Sequence, residues 1–137
     1  MKVFIAFKLT QSSFPVHAAH LTATFSGRSA IPLVADAIVE CGRRTLTNAI
    51  DLANRWGREN GRWSGAHVLY GDTDSVFIKL PGRSVKEAFA FGEEYCTAVT
   101  ASNPPPVNLK LEKVYGACLL QTKKKYCGMM YESPSQK

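Results

Sequence analysis

With 137 residues, 45% of them hydrophobic and 10% aromatic, the chain can bury a modest core and is too apolar for wholesale disorder. Its formal net charge of +6 suits a polyanionic partner. No apolar run approaches the roughly 20 residues that span a bilayer, which argues against a membrane protein. Cys41, Cys96, Cys118 and Cys127 are too dispersed for paired zinc knuckles or a secreted disulfide framework, so reduced, partly buried thiols are expected.

Residues 1–24 show no clear period. The start, Met1-Lys2-Val3-Phe4-Ile5-Ala6-Phe7, resembles a signal peptide, but the apolar run is short and Lys8 interrupts it, so targeting is discounted. The turn-prone Gln11-Ser12-Ser13-Phe14-Pro15 follows, and weak order is expected throughout. From Ile31 onward, apolar or small residues recur at Val34, Ile38, Cys41, Thr45, Ala49, Leu52 and Trp56, a spacing of three and four that predicts the longest helix. Pro32 falls in its first turn with Ser29 as a cap, and Gly57 and Asn60-Gly61 end the pattern. Arg43, Arg44, Asn48 and Asp51 belong to its solvated side.

Two strand-like runs come next, Ala66-His67-Val68-Leu69-Tyr70 and Val76-Phe77-Ile78-Lys79-Leu80. Between them Gly71-Asp72-Thr73-Asp74-Ser75 predicts a hairpin with two carboxylates at its tip. Carboxylates held together repel unless a cation sits between them, and hard oxygen ligands of this kind suit Mg²⁺ or Mn²⁺ bridging to phosphate. The same residue types also make ordinary turns, with Gly71, Thr73 and Ser75 shaping the bend. His67 has no acid or cysteine at ligand spacing and reads as an ordinary strand histidine, while His17 and His20 are incidental.

After Pro81-Gly82, the string Ser84-Val85-Lys86-Glu87 fits a capping box, in which Ser84 and Glu87 satisfy each other's free backbone donors. The predicted helix buries Val85, Ala88, Phe89, Gly92, Tyr95, Cys96 and Val99, and stops near Asn103 because Pro104-Pro105-Pro106 forbids continuation. From Val107 the period becomes two. Val107, Leu109 and Leu111 share one face of a strand, with Asn108, Lys110 and Glu112 on the other. Two more strand-like stretches, 114–120 and 126–131, flank Lys123, Lys124 and Lys125. In isolation such a lysine run is a solvated surface; beside nucleic acid it supplies phosphate contacts that carry affinity more than base identity. The whole reads as an α+β layer, antiparallel strands with helices packed on one face.

The string Tyr70-Gly71-Asp72-Thr73-Asp74-Ser75 after an apolar strand resembles motif C in the palm of family B DNA polymerases. Leu111-Glu112-Lys113-Val114-Tyr115 resembles a strand motif of that family, and Gln121-Thr122-Lys123-Lys124-Lys125-Tyr126 its primer-binding K-K-R-Y segment, all in the family's order. Phe25-Ser26-Gly27-Arg28, Ala98-Val99-Thr100-Ala101-Ser102-Asn103-Pro104 and Leu120-Gln121-Thr122 look closer to the zeta-type, translesion branch than to the delta-type branch. The resemblance implies a partial palm in residues 25–132, leading in from the fingers, behind a divergent segment 1–24 and before a tail 133–137. It implies DNA-directed nucleotidyl transfer in a full-length enzyme, using two Mg²⁺ ions, with Mn²⁺ as a substitute. Asp74 would ligate both ions, Asp72 would support it, and Glu112 would be an auxiliary acid. Lys123, Lys124, Lys125 and Tyr126 would hold the primer, with Lys125 standing where the family usually has arginine. Primer-template DNA, a deoxynucleoside triphosphate and accessory polymerase subunits are the implied partners, and the nucleus the implied compartment.

Two family motifs do not occur in the sequence: the D-F-x-S-x-Y-P string of motif A, whose aspartate completes the metal cage, and the K-x-x-x-N-x-x-Y-G fingers helix that binds triphosphate. The chain is therefore expected to be inactive alone. Two other readings stay open. A non-catalytic DNA-binding fragment fits the charge and the missing motifs. A metal-dependent glycosyltransferase, whose D-x-D holds a nucleotide-sugar diphosphate through Mn²⁺, would leave the lysine segment unexplained.

Overall fold

The apolar run that opens the chain forms the middle of a sheet. In the computed structural model, which describes residues 2–10, 32–72, 74–105, 107–122 and 125–135, β1 spans Lys2–Thr10. It lies between two antiparallel partners, the strand that follows the acid turn and the strand that follows the prolines. Val3, Ile5, Phe7 and Leu9 are buried on one face and Phe4 and Ala6 on the other. This corrects the expectation of weak order at the N-terminus, at least over Lys2–Thr10. A strand covered on both faces shows no alternation, so its signal is a short apolar run of β-formers rather than a period of two. Residues 11–31, including Ser29 and Phe25-Ser26-Gly27-Arg28, lie outside the described residues.

The remaining elements follow in the predicted order. They are α1 (Pro32–Arg58), β2 (His67–Asp72), β3 (Ser75–Pro81), α2 (Val85–Ser102), β4 (Asn108–Thr122) and β5 (Lys125–Tyr131). The sheet runs β2-β3-β1-β4-β5, and every neighbouring pair is antiparallel. Both helices cover the face that carries Val3, Ile5, Phe7, Val76, Ile78 and Leu80, which makes the fold α+β. The segments 107–112 and 114–120 fuse into the one long strand β4, interrupted by a register shift opposite Ala6 and Phe7 that makes Glu112 the extra, bulged residue.

The helix-side core is built around rings. Phe7 of β1 meets Tyr95 and Phe91 of α2 edge-on at 4.9 and 6.3 Å, and Trp56 and Trp63 close on Phe91 at 6.0 and 5.2 Å. These are favourable edge-to-face pairs, each adding about 1 kcal/mol beyond the area buried. The Tyr95 hydroxyl donates to the Ala49 carbonyl of α1, which ties the two helices together and satisfies the buried oxygen. Burial drives the Tyr95 hydroxyl far above the usual phenol range, and also pushes the Cys96 thiol up to about 11.

Each helix departs from its sequence pattern in one informative way. In α1 only Thr45, Ala49 and Ala53 are buried, while Leu33, Val34, Val39 and Cys41 are exposed. Of the predicted apolar face, Thr45 and Ala49 are buried and Leu52 and Trp56 pack half-buried against the core. In α2 the capping box forms as predicted: the Ser84 hydroxyl accepts from the Glu87 amide, and the Glu87 carboxylate accepts from the Ser84 amide. Donation to the Glu87 carboxylate from the Ser84 amide first, and from the Ser84 hydroxyl next, holds the carboxyl below its usual range. The helix buries Phe91 completely, a residue outside the predicted face, and leaves Phe89 and Cys96 half-buried. Gly57 has a reason beyond helix ending. A methyl group there would meet the Ala66 backbone, so the close approach of α1 to the start of β2 admits glycine alone.

Candidate functional site

The acid turn forms at the end of a regular hairpin. Pairing of His67 with Lys79, Tyr70 with Phe77 and Asp72 with Ser75 brings β2 and β3 to a two-residue connection, Thr73-Asp74. Thr73 lies outside the described residues. Asp74 is held from three sides: its amide donates to the Asp72 carbonyl at 2.6 Å, its carbonyl accepts from the Leu9 amide of β1 at 2.7 Å, and its Oδ1 accepts from the Ser75 hydroxyl at 3.2 Å. The turn is therefore docked on the central strand rather than hanging from the sheet edge. Gly71 has a second role besides the bend, since an added methyl would come within 2.8 Å of Ile50 Cδ1 where α1 passes beneath the hairpin.

Side chains alternate, and the parity of β3 sends Ser75 and Phe77 to the face that no described helix covers. There Asp72, Glu112, Ser75, Tyr70, Phe77 and Tyr126 line a cleft of about 240 Å³. Its floor is aromatic. Tyr70 stacks on Phe77 at 5.4 Å with ring planes 4° apart, and Tyr126 sits 5.2 Å from Phe77 and edge-on to Tyr115 at 5.7 Å. Burial, and next the neighbouring Tyr126, pushes the Tyr115 hydroxyl well above the usual phenol range, and burial raises the Cys118 thiol. Both stay protonated at neutral pH, so the negative charge lining the cleft belongs to the carboxylates.

The fold thus brings Asp72, Glu112 and Tyr126 to one cleft from three separated stretches of sequence. Asp74 is not among the residues lining it. Its carboxylate faces Lys8 of β1, with 4.0 Å between Lys8 Nζ and Asp74 Oδ2. Glu112 makes no ion pair with its strand neighbours Lys110 and Lys113; the ion pairs among the described residues are Lys8–Asp74, Arg62–Glu94 and Arg83–Glu87. Lys125 is exposed at the start of β5, whereas Lys123 and Lys124 lie outside the described residues. His67 is an exposed strand residue with Nδ1 near the Gly65 carbonyl, and His17 and His20 lie outside the described residues. All four cysteines are free, Cys41 and Cys127 exposed and Cys96 and Cys118 partly so.

A set of cations shares this face, although nothing local in the sequence groups them. Cross-strand pairing aligns Lys79 with Phe4, Lys8 with Ser75 and Lys110, and Lys113 with Ala6, so these four lysines project from the helix-free face around the aromatic floor. The signal was their parity with Phe4, Ala6 and Phe77, which becomes readable only once β1 is known to be a strand. A cationic rim over stacked rings suits an extended polyanion. The carboxylates are hard oxygen donors of the type that holds Mg²⁺ or Mn²⁺. Yet no group of three or more His, Cys, Asp or Glu side chains able to hold an ion occurs among the described residues, so these residues do not make a two-ion cage.

An antiparallel sheet backed by helices, with acids at a hairpin tip beside an open cationic face, is a polymerase palm in outline. Residues 4–137 match the sequence profile of DNA polymerase family B, and the chain belongs to that family. It is 52% identical over 118 residues to the DNA polymerase zeta catalytic subunit of Arabidopsis thaliana, covering 86% of this chain and 6% of the relative. Identity is 50% over 118 residues to the human zeta catalytic subunit (86% and 4%) and 47% over 117 residues to that of Saccharomyces cerevisiae (85% and 7%). A delta catalytic subunit, from Schizosaccharomyces pombe, is 35% identical over 111 residues. The chain spans less than a tenth of the length of these zeta relatives.

Proposed function

We propose that this chain is a palm segment of a zeta-like, translesion DNA-directed DNA polymerase, contributing the motif C acids to nucleotidyl transfer in a full-length enzyme. The observation that carries the reading is the acid turn, docked by β1 at the edge of the helix-free, lysine-rich face. Asp74, supported by Asp72 and with Glu112 as an auxiliary acid, would hold Mg²⁺ or Mn²⁺ in that enzyme. The ions would supply charge stabilisation to the attacking and leaving oxygens of phosphoryl transfer. The chain's own part is to hold the turn rigid and to offer cations and rings to the primer. Primer-template DNA and a deoxynucleoside triphosphate are the substrates on this reading, with accessory polymerase subunits as partners and the nucleus as the compartment.

The chain alone should not polymerise DNA. Acids from one turn do not fix both ions, and no fingers motif grips the triphosphate; catalysis of this kind is mainly positioning and charge stabilisation. A primer-extension assay on the purified chain, free of other polymerases, should show no templated product. Extension that disappears with Asp74→Ala would overturn this part of the reading.

DNA binding has its own test. Replacing Lys123, Lys124 and Lys125 together by Ala should weaken binding to primer-template DNA about equally across sequences and lower the slope of log affinity against log salt by about 2 to 3, since fewer counterions are released. An unchanged slope would return these lysines to a solvated run and favour other cations on the face as the contact.

A further inference from the structure

A row of side chains crosses four strands at the level of the acid turn. Backbone pairing sets Asp72 of β2 opposite Ser75 of β3, Ser75 opposite Lys8 of β1, and Lys8 opposite Lys110 of β4, so all four project from the helix-free face. Lys8 and Lys110 are like charges placed directly across a strand pair, an arrangement that is unfavourable unless an anion lies close. Asp74 is that anion. Its Oδ2 lies 4.0 Å from Lys8 Nζ, and the Leu9 amide fixes the turn's backbone to the same strand, so the distance is set by two neighbouring residues of β1.

The acids of the site have different neighbours, although the Ser75 hydroxyl that lines the cleft also donates to Asp74. Asp72 and Glu112 line the cleft, while Asp74 faces the ammonium. Two carboxylates two residues apart in a turn repel one another, and a divalent ion would relieve that repulsion; here the chain brings a cation of its own, tethered to the central strand.

We infer that Lys8 is a built-in counter-ion that keeps divalent metal off Asp74, so that the acid turn of this chain takes up Mg²⁺ or Mn²⁺ poorly. The inference rests on reading Asp74 as a metal ligand. The place beside Asp74 on β1 is filled by a cation where a metal site would need an acid or a neutral group. A dication bound at Asp74 would share the carboxylate with an ammonium 4.0 Å from its Oδ2. In water-like surroundings with moderate salt, the repulsion between the two cations lowers affinity by roughly tenfold.

The test measures Mn²⁺ alone binding to the purified full chain, followed through the loss of the free-ion paramagnetic resonance signal, with far-ultraviolet circular dichroism to verify folding. Lys8→Met removes the charge and keeps the aliphatic stem, so it should bind Mn²⁺ about tenfold more tightly than the unaltered chain. Lys8→Asp, which adds a facing carboxylate, should bind more tightly still. Adding Asp74→Asn to either variant should abolish the gain. The difference between the unaltered chain and Lys8→Met should narrow as sodium chloride is raised, because both side chains are half exposed. Equal affinity of the unaltered chain and Lys8→Met, with both sensitive to Asp74→Asn, would overturn the counter-ion role and leave the metal reading standing. A gain that survives Asp74→Asn would overturn it by placing the ion elsewhere. If even folded Lys8→Asp binds no Mn²⁺, the metal-ligand reading of the turn fails, and the inference with it.

Discussion

Asp74→Ala, introduced into a full-length enzyme whose palm carries residues 25–132 of this chain, is expected to lower nucleotide incorporation by about three orders of magnitude or more, because losing a metal ligand removes several kcal/mol of transition-state stabilisation. Primer-template affinity should change little, since the cations and rings of the helix-free face are untouched. Single-turnover incorporation and equilibrium DNA binding, measured on the same preparation, separate the two effects. Near-normal incorporation would remove Asp74 from the metal site and turn attention to Asp72 and Glu112, which share the cleft.

Phe7→Ala should destabilise the chain by about 3 to 5 kcal/mol, the range for deleting a buried aromatic ring from a packed core. Phe7 is 0% exposed and meets both Phe91 and Tyr95, so the cavity would open at the junction of β1 and α2. A typical domain of this size has about 5 to 15 kcal/mol in total, so the variant would be near the limit of folding. Urea denaturation followed by circular dichroism reads the change as a lower midpoint at an unchanged slope. A loss below about 1 kcal/mol would mean that β1 does not hold the central place in the sheet. The experiment also bears on the acid turn, because the strand that carries Phe7 carries Lys8 and Leu9, both of which contact Asp74.

The elements built from local chemistry were legible in the sequence. The Ser84 and Glu87 capping box depends on residues three apart, the stop after Asn103 on the prolines that follow, and the hairpin around Asp72 and Asp74 on two β-forming runs flanking turn residues; each forms as read. The family was legible for a related reason. Motif C, the Glu112 strand and the lysine segment are short ordered strings whose meaning does not depend on what they touch, and the match to DNA polymerase family B agrees with them.

What escaped the sequence reading concerns burial and distant neighbours. Residues 2–10 looked unstructured because a strand apolar on both sides has no period, and only the sheet reveals that β3 and β4 flank it. Phe91 lay outside the helix stripe read from α2, yet Phe7, Trp56 and Trp63 converge on it from three other segments. Val34 and Cys41 kept the right spacing in α1 but remain exposed, since periodicity states which side of a helix is apolar and not how far along its length a partner reaches.

The sequence by itself therefore determined the α+β class, the helix cap, the acid hairpin and the membership of family B, because all of these follow from residues close together in the chain. Only the tertiary structure decided how the charges are arranged. Register across β2, β3, β1 and β4 puts Asp72, Ser75, Lys8 and Lys110 in one row, although 102 residues separate Lys8 from Lys110 along the chain. Coulomb energies depend on distance through space and on exposure. The pairing of Asp74 with Lys8, and the meeting of Asp72 with Glu112 in one cleft, had to await the sheet.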